Sequence, residues 1–156
     1  MNFIKIAAIA AVVVSSSAMA SDLQFSYPGH GNNGNNGNGN GNNNGPESSM
    51  KVYQHGANNS VTALQADARK SSLDIKQYGS SNGADVGQGA DNASIDLLQK
   101  GRGNNATIDQ WEAKGSTIDV SQYGARNGAV VNQTAASSSV ELTQIGHNNR
   151  ANLQQH

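Results

Sequence analysis

The chain has no cysteine, only 2 prolines, 4% aromatic residues and 13% charged residues in a length of 156. Leu, Ile, Val and Phe together number 27, roughly 17% of the chain, where a packed core usually needs roughly 20%. That shortage of apolar mass argues against an enzyme domain shaped around a pocket. A formal charge of −1 likewise excludes a highly charged disordered tail. With near-neutral charge and no basic run, neither nucleic acid nor an anionic lipid surface is indicated as a partner. The gap is filled by 18 Gly, 21 Asn and 12 Gln. Such a chain is either disordered or held by amide and backbone hydrogen bonds more than by apolar burial.

Residues 1–20 read as a secretory signal peptide. Lys5 supplies the positive charge, residues 6–14 form the apolar run, and Ser15, Ser16 and Ser17 lead to Ala18-Met19-Ala20. Cleavage is expected between Ala20 and Ser21. The apolar run is shorter than the roughly 20 residues a spanning helix needs, so no membrane insertion is expected. Exported proteins often carry disulfides; this one must draw its stability from elsewhere. Residues 21–47 are expected to be a disordered Gly/Asn-rich leader. Within it, Gly29 to Gly45 reads GHGNNGNNGNGNGNNNG, without one apolar side chain. A flexible linker and a handle for a transport or assembly machine both suit it.

From residue 48 the chain repeats itself. Gln54, Gln77, Gln99, Gln122 and Gln144 are separated by 23, 22, 23 and 22 residues. Each is followed by a glycine (Gly56, Gly79, Gly101, Gly124, Gly146) and then by an asparagine (Asn59, Asn82, Asn104, Asn127, Asn149). A second glutamine closes each copy: Gln65, Gln88, Gln110, Gln133, Gln155. Ser48, Ser71, Ser116 and Ser138 open four of the copies, and Ala93 opens the third. The copies span residues 48–65, 71–88, 93–110, 116–133 and 138–155.

Inside each copy apolar and polar residues alternate, as in Met50/Val52, Leu73/Ile75 and Ile95/Leu97 before the turn and Val61/Ala63, Ala84/Val86 and Ala106/Ile108 after it. A period of two with β-branched residues at the inward positions predicts strands, not helices. Each copy is therefore strand, tight Gly/Asn turn, strand, with polar links between copies. Stacked copies predict an all-β fold, a five-rung β-solenoid over residues 48–156 that becomes cross-β when assembled. Inward Gln and Asn would then form ladders, each side-chain amide bonding to its copy on the next rung, which avoids buried unsatisfied groups. The first copy has no acidic residue and the last only Glu141 and Arg150, so both ends are expected to lack the caps of soluble solenoids. An uncapped stack extends by adding another copy of itself.

The repeated S-x5-Q-x-G-x2-N-x-A-x3-Q pattern, after a signal peptide and a Gly/Asn-rich leader, resembles the curlin family of extracellular amyloid subunits. Stretches such as Asn82-Gly83-Ala84-Asp85-Val86-Gly87-Gln88-Gly89 and Asp109-Gln110-Trp111 carry the likeness, which covers essentially the whole chain. Ala93 for a repeat serine and Val61 for a repeat alanine are mild departures. The resemblance implies export through the periplasm and then, unfolded, through an outer-membrane curli secretion pore with the leader as guide. It implies assembly at the cell surface as a fimbrium, on a minor nucleating subunit, with accessory proteins in attendance. Adhesion, aggregation and biofilm matrix are the implied roles, with host extracellular-matrix proteins as candidate partners.

Asp85 and Gly87 in the second copy, Gly89 and Asp91 in the link after it, and Asp96 in the third copy stand out. In-register stacking sets like charges side by side, and glycine weakens strands. They read either as ordinary surface residues or as gatekeepers that delay aggregation, and the resemblance favours the second. His30, His55, His147 and His156 have no metal-ligand spacing. No nucleophile, base and orienting group recur at one level, so no catalysis, metal or cofactor is expected. Tyr53, Tyr78, Tyr123 and Trp111 are expected on the outside or at turns. The rival readings are the minor nucleating subunit, a monomeric β-solenoid adhesin and a solenoid carbohydrate enzyme. These would need, respectively, a basic and irregular last repeat, capped ends, and longer rungs with clustered acids.

Overall fold

The computed structural model describes residues 10–16, 21–27, 48–66 and 68–156, with side chains from residue 48 onward. Ala20 and residues 28–47 lie outside the described residues, so the expected cleavage site and most of the expected leader do too.

All regular structure in the described residues is β, as the alternation predicts. Ten strands make the five rungs: β3 (Ser48–Ala57) and β4 (Asn59–Gln65), β5 (Ser72–Ser80) and β6 (Gly83–Gly89), β7 (Ser94–Arg102) and β8 (Asn105–Trp111), β9 (Thr117–Ala125) and β10 (Gly128–Gln133), β11 (Ser139–His147) and β12 (Arg150–Gln155). First arms stack as β3-β5-β7-β9-β11 in one sheet and second arms as β4-β6-β8-β10-β12 in the other. Every pair along both stacks is parallel.

The register keeps equivalent repeat positions level. Met50, Leu73, Ile95, Ile118 and Val140 form one inward column, and Val61, Ala84, Ala106 and Ala129 another in the facing sheet. These residues are buried, so the core is a thin apolar seam between the sheets. At roughly 1–2 kcal/mol for each buried aliphatic side chain, one rung gains too little to offset the ordering of its backbone. Rungs are stable only as neighbours.

The turn is fixed by glycine. Gly56, Gly79, Gly101, Gly124 and Gly146 all have φ between +112 and +122. A Cβ on Gly79 would lie 2.0 Å from the Gly101 carbonyl oxygen on the next rung. Only a residue without a side chain lets the turns stack this closely. A second left-handed position follows in each first turn, taken by Asn58, Ser81, Gly103, Arg126 and Asn148.

At the N-terminal end the structure differs from the uncapped expectation. Strand β2 (Ser21–Tyr27) pairs antiparallel with β3, and β1 (Ala10–Ser16) antiparallel with β4. β1 falls inside the expected signal peptide and β2 inside the expected leader. The open N–H and C=O groups of an edge strand pair with an extended segment in either direction, a property that alternation within the repeats does not reveal.

Candidate functional site: ladders and rung ends

The two glutamine columns are continuous ladders, and both run one way. Gln54 Nε2 donates to Gln77 Oε1 at 2.8 Å, Gln77 to Gln99 at 2.8 Å, Gln99 to Gln122 at 2.8 Å and Gln122 to Gln144 at 2.8 Å. The second column repeats this from Gln65 through Gln88, Gln110 and Gln133 to Gln155 at 2.8–3.1 Å. Each inner Nε2 spends its other proton on an oxygen close by, as Gln99 does on Gly83 O at 2.9 Å. Buried amides are thereby satisfied without water.

The asparagine columns are built differently from the expected amide-to-amide ladder. Asn59 Oδ1 accepts the backbone N–H of Asn82 at 3.0 Å, Asn82 Oδ1 that of Asn104, Asn104 Oδ1 that of Asn127, and Asn127 Oδ1 that of Asn149. Each inner Nδ2 donates to a carbonyl four residues back and to the turn glycine of the next rung, as Asn104 does to Lys100 O and Gly124 O at 3.2 Å. Only Asn82 and Asn59 also join side chain to side chain, at 3.1 Å. The shorter asparagine side chain sits beside a turn whose carbonyls converge on it, so backbone groups outcompete the next amide. Asparagine thus locks the turn as well as linking rungs.

The opening serines have a related use, which sequence reading registered only as a pattern. Ser71 Oγ donates to Ala90 O at 2.6 Å and accepts from Ala93 N at 3.2 Å. Ser116 Oγ donates to Ala135 O at 2.8 Å and accepts from Ser138 N at 3.1 Å. Alanine at 93 has no hydroxyl for such a bond and is buried instead with Ala90 and Ala113 in a small apolar cluster. The departure at Ala93 is a local exchange of a hydrogen bond for packing.

The proposed gatekeepers fall into four settings. Asp96 stands in register between Asp74 and Asp119, so the like-charge argument applies there. Its carboxyl is pushed above the usual carboxylate range by burial, then by Asp74 and Asp119, with Lys76 opposing. Lys76 pairs with Asp74 at 2.6 Å. Asp85 is different: its neighbours across the rungs are Thr62 and Thr107, and like-charge stacking does not describe it. Asp91 lies in a link, where its Oδ1 accepts the Arg69 N–H at 2.8 Å. Gly87 and Gly89 make room for the Trp111 indole, since a Cβ on Gly89 would sit 1.9 Å from Trp111 Cε3. The side-chain ring contacts among the other aromatics lie on the outer face, with Tyr53 and Tyr78 5.4 Å apart.

A raised pKa means that the folded stack holds the Asp96 proton more tightly than the unfolded chain does. The stack therefore loses stability as the pH rises from the ordinary carboxylate range through the raised value, and the full penalty is present at neutral pH. Asp96→Asn is expected to remove that penalty, a few tenths to about 1 kcal/mol after solvent screening. Denaturant midpoints of the ordered stack at pH 4 and pH 7 should differ less in the variant than in the parent. An equal difference in both would assign the charge no role.

Comparison with known proteins gives the class. The Curlin associated repeat profile matches residues 89–124 and 115–146. The matched segments lie in the parallel β-solenoid, across its third and fourth rungs and part of its fifth. It is similar to the major curlin subunit of Salmonella typhimurium, with 55% identity over 92 residues, and equally to those of Salmonella typhi and Salmonella enteritidis. The match covers 59% of this chain and 58% of each relative's length.

Proposed function

We propose that the chain is a structural subunit, exported and then polymerised at the cell surface into extracellular curli amyloid fibres, with no catalytic role. The observation that carries this reading is the repetition of backbone register, turn glycine and amide bonds from rung to rung. Each rung is a template for the next, and the last template is intact: β11 keeps Gln144 and Gly146 level with Gln122 and Gly124 of β9. A regular final rung favours a polymerising subunit over a minor nucleator. The nucleator, the outer-membrane secretion pore and its accessory proteins, and host matrix proteins are the partners this reading brings with it. Asp85, Asp91 and Asp96, with Gly87 and Gly89, would then slow assembly until export is complete.

Incubating the exported chain and following thioflavin fluorescence, with electron microscopy of the product, tests the reading. Unbranched fibres that seed fresh chain are expected. A folded protein that stays monomeric under the same conditions would contradict it.

A further inference from the structure

We infer that the two ends of the solenoid form a directional junction, in which Glu141 of one copy meets Lys51 of the next, so that copies add head to tail. The inference rests on the polymerising reading above and specifies the surface that does the polymerising.

The outward column of the first-arm sheet reads Lys51, Asp74, Asp96, Asp119, Glu141 from one end to the other, all in register. One end is basic and the four positions behind it are acidic. If a new copy continues the parallel register, so that its Gln54 follows Gln144, its Lys51 falls beside Glu141. Both side chains are exposed on their own copy, and β2, whose Gln24 lies level with Lys51, gives way when a second copy joins. Opposite charges directly across a strand pair are favourable, and like charges unfavourable. Two C-terminal ends brought together would set Glu141 against the same acidic column.

The amide ladders independently impose the same direction. Every glutamine of the first column donates its Nε2 toward the C-terminal rung, where Gln144 Nε2 donates to Gly128 O at 3.1 Å. That nitrogen keeps a second proton for an acceptor on an incoming rung, which continues the ladder in the same sense. Two C-terminal ends would instead face amide nitrogen to amide nitrogen. The last rung also leaves Leu142 and Leu153 only partly buried and Ile145 75% exposed, apolar surface that β3 and β4 of another copy would cover. At the opposite end β2 lies on β3, so joining replaces one antiparallel backbone pairing with a parallel one that carries side-chain ladders as well.

Charge reversal separates this junction from effects within one copy. Glu141→Lys places a basic side chain next to Asp119, which relieves repulsion inside the chain. The junction nonetheless predicts slower growth, because the introduced lysine would meet Lys51 of the next copy. Seeded elongation of the exported whole chain, homotypic and at low salt, is expected to slow about fivefold in Glu141→Lys and to recover most of that loss when Lys51→Glu is combined with it. The difference should shrink as salt is raised. Growth of Glu141→Lys at the parental rate or faster, or a double variant no faster than the single, overturns the junction while leaving polymerisation standing. If the unsubstituted chain forms no seedable fibre, the polymerising reading fails, and the junction with it.

Discussion

Replacing Gly101 by alanine is expected to abolish the ordered stack. Gly101 has φ +122, and a Cβ there would lie 1.9 Å from the Gly124 carbonyl oxygen. No flexible side chain can move aside, because the obstructing atom is backbone in the neighbouring turn. Conformational strain of about 1–3 kcal/mol combines with overpacking of similar size. Together they amount to about 2–6 kcal/mol, comparable with what one rung gains from its aliphatic side chains. The same change at Gly146 is an informative contrast. Its φ of +116 still disfavours alanine, but the nearest atom to a Cβ is Asn149 Nδ2 at 3.4 Å, an ordinary contact. Gly146→Ala should keep an ordered stack, weakened by the strain alone, yet fail to extend from its C-terminal rung, where the next turn would collide. Seeded growth and circular dichroism of the two variants check this. A Gly101→Ala chain that assembles at the parental rate would refute the close stacking of turns.

The second large effect concerns the glutamine ladder. Gln99 is buried and accepts from Gln77 while donating to Gln122 and to Gly83 O. Gln99→Ala strands the Gln122 oxygen and the Gly83 carbonyl in a dry seam and opens a cavity. The expected cost is about 2–4 kcal/mol. Gln144→Ala removes, within the chain, the ladder bond from Gln122 and the bond to Gly128 O at the half-open last rung, and one bond that an incoming copy would make. Its cost to the fold is smaller, about 1 kcal/mol, while elongation should fall roughly tenfold. Denaturant resistance should thus fall most in Gln99→Ala, and growth rate relative to stability most in Gln144→Ala. If Gln99→Ala alone blocks seeded growth and Gln144→Ala does not affect it, end-to-end stacking is wrong.

The repeat made most of this fold legible. A period of 22 or 23 residues with glutamine, glycine and asparagine at fixed offsets determined the rungs, their register and the inward columns, because a β arm has only two faces to choose between. What stayed hidden was the identity of hydrogen-bond partners. Sequence spacing brings Asn59 above Asn82, but whether amide meets amide or backbone depends on where the turn carbonyls point. The indole of Trp111 over Gly87 and Gly89 was likewise invisible: the tryptophan lies one rung beyond the glycines, and glycine alone signals only weak strand propensity. Asp85 and Asp96 looked alike as acids in strands. Only the neighbours on adjacent rungs, threonines for one and aspartates for the other, separate them. The antiparallel strands β1 and β2 followed from no periodicity at all.

Mass per unit length of the thinnest single filament, by scanning transmission electron microscopy, tests the central claim most directly. A chain of five rungs at about 4.8 Å each occupies about 24 Å of fibre axis. With a chain mass of 16.1 kDa before any cleavage, a head-to-tail stack then measures about 0.6–0.7 kDa per Å. A filament in which every chain lies flat in one layer would hold one chain per about 4.8 Å, roughly five times as much mass per length, and that value would contradict a fibre built by adding whole solenoids end to end.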